Sequence, residues 1–241
     1  MSRTVTLVLL VLAAPCVAAE PDDELVGDLK ASLVAADAAL KANPEDLAAL
    51  QDRGDALFFL GRFDEAVRDY DRMLALEPRL GPKHWQRGLA LHFAGRYDDA
   101  AKQFERYYEL DKSDRENGIW RYYAQVEQDG VETARKALLP YSQPDRAPLP
   151  IVYRMCEGKA TPQQVLDSIN TADVTDEQRQ KQRFYADLYV GLDAAIVRDD
   201  ATASRPLLER AVSNEWPRRA GYGPTFMWHV ARLSLGRLET P

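Results

Sequence analysis

The chain has 241 residues, 46% hydrophobic and 29% charged, with a formal net charge of -7. That apolar content can fill one substantial core or an array of small helical units, which excludes a disordered or collagen-like chain. The acidic balance argues against non-specific nucleic-acid binding, because a phosphate backbone is held by excess Lys and Arg.

Residues 1–20 read MSRTVTLVLLVLAAPCVAAE. Arg3 precedes an apolar run from Val5 to Ala14, and the small residues Val17, Ala18 and Ala19 stand before Glu20, as in a secretory signal peptide. The run is short for a transmembrane helix, which needs about twenty apolar residues, so the expectation is cleavage near Ala19 and an exported, periplasmic or secreted protein. Removing residues 1–19 takes away Arg3 and no acid, moving the net charge from -7 to -8. Lipid anchoring through Cys16 is the competing reading, disfavoured because Pro15 stands where acylation signals carry a small residue. Cys156 is then the one cysteine left. It cannot form an intramolecular disulfide, and beside Val152 and Met155 it reads as a small buried hydrophobe.

Residues 25–42 place Leu25, Leu29, Leu33, Ala36 and Leu40 at steps of three and four, which predicts an amphipathic helix ending at Asn43-Pro44. Pro44 precedes Pro78 by 34 residues, so this helix takes the second-helix place of an incomplete leading repeat. Residues 47–80 and 81–114 then repeat one pattern with that same period. Gly54, Leu57, Gly61, Phe63, Ala66 and Tyr70 recur as Gly88, Leu91, Gly95, Tyr97, Ala100 and Phe104. Gly54, Ala66, Gly88 and Ala100 are read as the close crossings of paired helices. Gly61 and Gly95 are read as helix ends, with Asp64 and Asp98 capping the next helix.

This pattern resembles the tetratricopeptide repeat (TPR), whose consensus places small and aromatic residues at these spacings. The resemblance implies an all-α solenoid of helix-turn-helix units that binds other proteins and carries no chemistry of its own. Arg53 and Arg87 depart from the consensus Leu, Met73 and Tyr107 from Ala, and Lys112 from Pro.

A shortened third copy follows through Trp120, Tyr123, Ala124, Gly130, Ala134 and Leu138, ending at Leu139-Pro140. Residues 140–150 hold four prolines and mark the clearest break. The predicted organisation is thus a leader at 1–19, a repeat array at 20–140 and a degenerate repeat-like helical region at 141–241. In that region Ile151–Glu157 and Pro162–Ile169 read as a helical pair, the second capped by Thr161. Residues 182–214 read as a degenerate fourth repeat and 225–238 as a closing helix. The segments LPIVYRMCEGKATPQQVLDSI, FYADLYVGLDAAIVRDDATASRPLLERAV and WHVARLSLG also resemble the NlpI-type bacterial periplasmic TPR lipoproteins. That similarity implies an adaptor of the cell envelope.

The common catalytic and nucleotide-binding signatures are absent, so neither enzyme chemistry nor a cofactor is expected. His84 and His92 lack a carboxylate on a shared face, and residues 111–118 put Arg115 where a calcium loop needs oxygen, so no metal is expected. Arg53, Arg87 and Arg121 recur at 34-residue steps; pairing of each with acids on its own repeat's second helix, such as Asp69 or Asp71 for Arg53 and Glu105 for Arg87, is preferred over a ligand-gripping ladder.

Phe58, Phe59, Trp85, Leu89, His92, Phe93 and Tyr123 are the residues predicted on the concave face, suited to a peptide or helix of an envelope partner. A competing reading has the C-terminal helices folding over these aromatics and burying them. The alternatives to an adaptor are a self-assembling protein, such as a homodimer, and a hydrolase with polar groups among Asp187, Asp193, Glu209 and His229.

Overall fold

The computed structural model describes residues 23–169 and 174–238. The expectations for the leader and Cys16 fall outside the described residues. Within them the fold is the all-α solenoid that the repeats imply, with no strand. Helix α1 spans Asp23–Ala42, and the two full repeats are α2 (Leu47–Phe59) with α3 (Phe63–Leu76), and α4 (Trp85–Phe93) with α5 (Tyr97–Leu110). The segment expected as a shortened copy forms α6 (Arg115–Asp129) and α7 (Val131–Lys136). Then come α8 (Leu149–Cys156), α9 (Pro162–Ser168), α10 (Asp176–Leu192) with a π turn at Asp193–Val197, α11 (Ala201–Ser213), α12 (Trp216–Arg219) and α13 (Tyr222–Arg237).

The pairing within each repeat rests on a ring laid over a glycine. A Cβ added to Gly54 would stand 2.5 Å from the Tyr70 ring, and one added to Gly88 would stand 2.6 Å from Phe104. The space freed by glycine is therefore occupied by an aromatic side chain of the second helix, while Ala66 and Ala100 are fully buried beside it. A Cβ added to Gly191 would likewise stand 2.9 Å from the Leu208 side chain where α10 packs on α11. Gly61 and Gly95 close the first helices at φ 77° and 73°, a left-handed conformation that side chains resist. The Asp64 and Asp98 caps are corrected. Both aspartates lie within the first turn of α3 and α5, where no side-chain cap is made, and they contribute negative charge at a helix N-terminus instead.

The three arginines spaced by 34 pair internally. Each first helix lies between two second helices, so its arginine reaches 16 residues back and 16 forward. Arg53 binds Asp37 at 2.9 Å and Asp69 at 2.6 Å. Arg87 binds Asp71 at 2.6 Å and Gln103 at 3.0 Å. Arg121 meets Glu105 at 3.4 Å and the Ala137 carbonyl at 2.7 Å. Glu105, expected on Arg87, thus serves the next arginine along.

One hydrophobic core runs from Leu57 to Ala231, crossing the proline-rich segment without interruption. Cys156 is fully buried in it as a free thiol. A smaller cluster of Leu40, Ala49, Leu50 and Met73 seats α1 on the array.

Two glycine substitutions test the ring-over-glycine contact. Gly88→Ala is expected to lower unfolding free energy by about 1–3 kcal/mol, since Phe104 must move out of a packed site. Gly27→Ala, in α1 with open space around it, should raise stability by up to about 1 kcal/mol. Urea denaturation followed by circular dichroism measures both.

Candidate functional site

Helix α13 lies over the first helices α2 and α4 and covers that part of the concave face. Phe226 stacks on Phe58 at a centroid distance of 4.8 Å and meets Trp85 edge-on at 4.9 Å. His229 stacks on Phe59 at 3.8 Å. Two arginines of the same helix donate to the carbonyls that end the first helices: Arg232 to the Phe59 oxygen and Arg237 to the Phe93 oxygen. A cation at a helix C-terminus satisfies an orphan carbonyl and opposes the helix dipole. Arg237 also lies 4.3 Å over the Phe93 ring.

The seven residues predicted on this face are therefore brought together, but beneath a cover. Phe58, Leu89, His92, Phe93 and Tyr123 are buried. His92 sits among Phe93, Tyr97 and Trp120, and its burial holds it neutral, with a pKa lowered to about 3. Tyr123 donates to the Tyr189 carbonyl at 3.1 Å. Phe59 and Trp85 keep intermediate exposure. Of the two readings of these aromatics, the covered one matches this arrangement, because α13 carries matching rings and the two capping arginines.

A buried carboxylate ties α13 to the first repeat. Asp55 accepts from the hydroxyls of Tyr70 and Tyr222, each at 2.6 Å, and from Gln51 at 2.7 Å. Desolvation raises its pKa to about 6, despite those three donors. His84 caps the Arg87 amide, binds Gln51 at 3.0 Å, and is held neutral by burial at a pKa of about 4.

Beyond the edge of α13 remains an open cleft of about 340 Å³. Trp85 and Leu89 from α4, Phe104 and Tyr107 from α5, and Trp120 from α6 form one side; Lys181 and Tyr185 from α10, Trp216 from α12 and Met227 from α13 form the other. Asp114, Glu116 and Arg146 supply the charges at its α6 side. Arg146 bonds Glu116 and lies 3.4 Å from Asp114 and 3.3 Å from Asp145. Tyr189 donates to Glu116 at 2.5 Å. Burial raises the pKa of both Glu116 and Asp114, against the opposing pull of the Arg146 guanidinium. The carboxylates are thus bound into an ion cluster that shapes the wall. Aromatic faces and a small number of placed polar groups suit such a cleft to binding.

Sequence reasoning missed this cluster. In the sequence Asp114 and Glu116 stand only in a stretch that fails as a calcium loop, and Arg146 lies in the proline-rich segment that marks a break. The chain there folds back so that Tyr141 packs at Gly118 and Asp145 accepts from the Arg115 amide at 2.9 Å. One signal was legible: Lys181, Tyr185 and Tyr189 recur every four residues and mark one face of α10.

The residues considered for hydrolysis are not brought together. Asp187 pairs with Arg210 at 2.6 Å, Asp193 with Arg198 at 3.0 Å, Glu209 is exposed, and His229 is stacked under α13 with its pKa lowered to about 3 by burial. Among the described residues no group of three or more His, Cys, Asp or Glu side chains is placed to hold a metal.

The Asp55 environment yields a pH prediction. Its folded pKa of about 6 lies above the ordinary 3.8, so folding is favoured by protonation. Its contribution is most favourable below pH 3.8 and is lost as pH rises through 6, by up to about 3 kcal/mol from two pKa units. Between pH 4 and 7.5 the stability of Asp55→Asn relative to the parent should rise by that order, measured by urea unfolding at each pH.

Residues 26–84 and 52–115 match the family model described as tetratricopeptide repeat. No curated protein gives a significant match to the chain. The ring-over-glycine pairs and the 34-residue period occur in this matched stretch, so residues 26–115 are similar to tetratricopeptide repeats in sequence and in packing, and the described residues as a whole form an all-α solenoid.

Proposed function

We propose that this protein is an adaptor of the bacterial cell envelope, binding a peptide segment of another protein in the cleft between α4, α6, α10 and α12. TPR arrays generally mediate protein–protein interaction, and that supports a binding role. The observation that carries the reading is the cleft itself. It is the part of the concave side that α13 leaves open, and it collects Trp85, Trp120, Tyr185 and Trp216 around one space. Buried aromatic anchors provide most of the energy in such contacts. The leader pattern of residues 1–20 supports export.

The ion cluster favours this reading over catalysis. Glu116 is engaged by Tyr189 on one oxygen and Arg146 on the other, so both oxygens are turned to the protein rather than to a substrate. The mechanism is scaffolding: α13 pre-forms the cleft wall, and the partner inserts apolar side chains without a chemical step.

Trp85 discriminates the outcomes. Trp85→Ala in the full chain is expected to reduce cross-linked capture of an envelope partner about tenfold. Its unfolding temperature should fall by no more than about 4 °C, as for a modest loss of packing. A large thermal loss with unchanged capture would make Trp85 a core residue and place the binding surface elsewhere.

A further inference from the structure

The polar groups lining the cleft divide into two sets. On the α6 side the carboxylates are engaged: Asp114 caps the Glu116 amide at 3.1 Å and accepts from Asn117 at 2.8 Å, and Glu116 takes Arg146 and Tyr189. The Arg146 guanidinium is itself shared among Asp114, Glu116 and Asp145. On the opposite side the groups are donors without acceptors. Among the described residues the Lys181 ammonium has no ion pair, and neither the Tyr185 hydroxyl nor the Trp216 indole N–H has a hydrogen-bond partner. Tyr185 and Trp216 are only 4% and 6% exposed, yet their polar atoms are not sealed within the protein. Their rings meet edge-on at 6.1 Å, so the two side chains are neighbours in the cleft wall.

Donors on nearly buried rings, without a protein partner and facing a cleft, can be satisfied by the acceptors of a bound chain. Lys181 and Tyr185 stand one helical turn apart on α10, and Tyr189, which reaches Glu116, is one turn deeper. Helical rise places Lys181 about 12 Å along the axis from Tyr189. The engaged carboxylates therefore lie at the deep end and the free ammonium at the outer end.

We infer that the peptide taken by this cleft is acidic: an apolar or aromatic side chain enters among Trp85, Trp120 and Trp216, adjacent backbone carbonyls accept from Tyr185 and Trp216, and an Asp or Glu side chain pairs with Lys181. The inference rests on the peptide-cleft reading above and adds the charge of the partner. An acid within the peptide is preferred to a chain terminus, because Lys181 stands at the outer end, where the bound chain can continue past it. The protein as a whole carries -7, so the attraction is local to Lys181 and falls away within about 10 Å at 0.1 M salt.

Isothermal titration of the full chain with three peptides tests it. The probes are N-acetylated, C-amidated Gly-Glu-Trp-Glu-Gly, the same peptide with Gln for Glu, and the Gln peptide with a free C-terminal carboxylate. The glutamate peptide is expected to bind about three- to fivefold more tightly than the amidated glutamine peptide, the scale of a partly exposed ion pair. That preference should disappear in Lys181→Gln and persist in Lys181→Arg. Equal binding of the two amidated peptides by the parent protein overturns the acidic preference and leaves the peptide-cleft reading standing. Stronger binding of the free-carboxylate peptide than the glutamate peptide overturns the side-chain assignment. Binding of none of the three overturns both. The comparison within the parent protein decides the matter even if the Lys181 variants fail to fold.

Discussion

The structure depends on one repeated contact, an aromatic ring of each second helix set down on a glycine of the first. At Gly54 and Gly88 the ring lies so close that even a methyl group would collide with it. This fixes how near the two helices approach and therefore the width of each repeat. Ridge-into-groove packing tolerates small shifts, but a ring seated in a glycine notch defines a single register. The array's regular stacking, and with it the curvature that makes a concave face, follows from that register.

Electrostatics joins one repeat to the next. Arg53, Arg87 and Arg121 each span two second helices, with partners 16 residues away on either side. Side chains that are only partly exposed cannot leave a guanidinium unpaired, and the geometry of a first helix between two second helices supplies the partners. The same economy recurs on α13, where Arg232 and Arg237 end α2 and α4 by donating to their terminal carbonyls. Arginine thus closes the solenoid internally, so the residues that once looked available for a ligand are committed to the fold.

Covering part of the concave face with α13 has a functional consequence. It removes the broad groove along α2 and α4 and narrows the open region to a cleft at the α4, α6 and α10 side, walled by helices from both halves of the chain. A narrower, pre-formed cleft loses less entropy on binding than an open groove that must order itself around a ligand. The half-buried Asp114, Glu116 and Arg146 cluster ties that wall together by ion pairs, while the unpaired donors of α10 and α12 face the cleft.

The repeat period, the glycine and aromatic positions, the helix at residues 25–42 and the Thr161 cap were all legible in the sequence, because each is a local or fixed-spacing signal. So were the aromatics of the first helices and the internal pairing of Arg53 with Asp69. The partner of Arg87 was misplaced, since Asp71 and Glu105 are both acids on neighbouring second helices and only the stacking order chooses between them. What tertiary structure alone decided is which aromatics α13 covers and which still face a cleft. It also decided that Arg146, in a stretch with no periodicity, returns to neutralise acids some thirty residues earlier. Periodicity records what a helix repeats along itself; the meeting of α13 with α2, or of Arg146 with Glu116, depends on long-range complementarity of shape and charge, which leaves no fixed spacing in the chain.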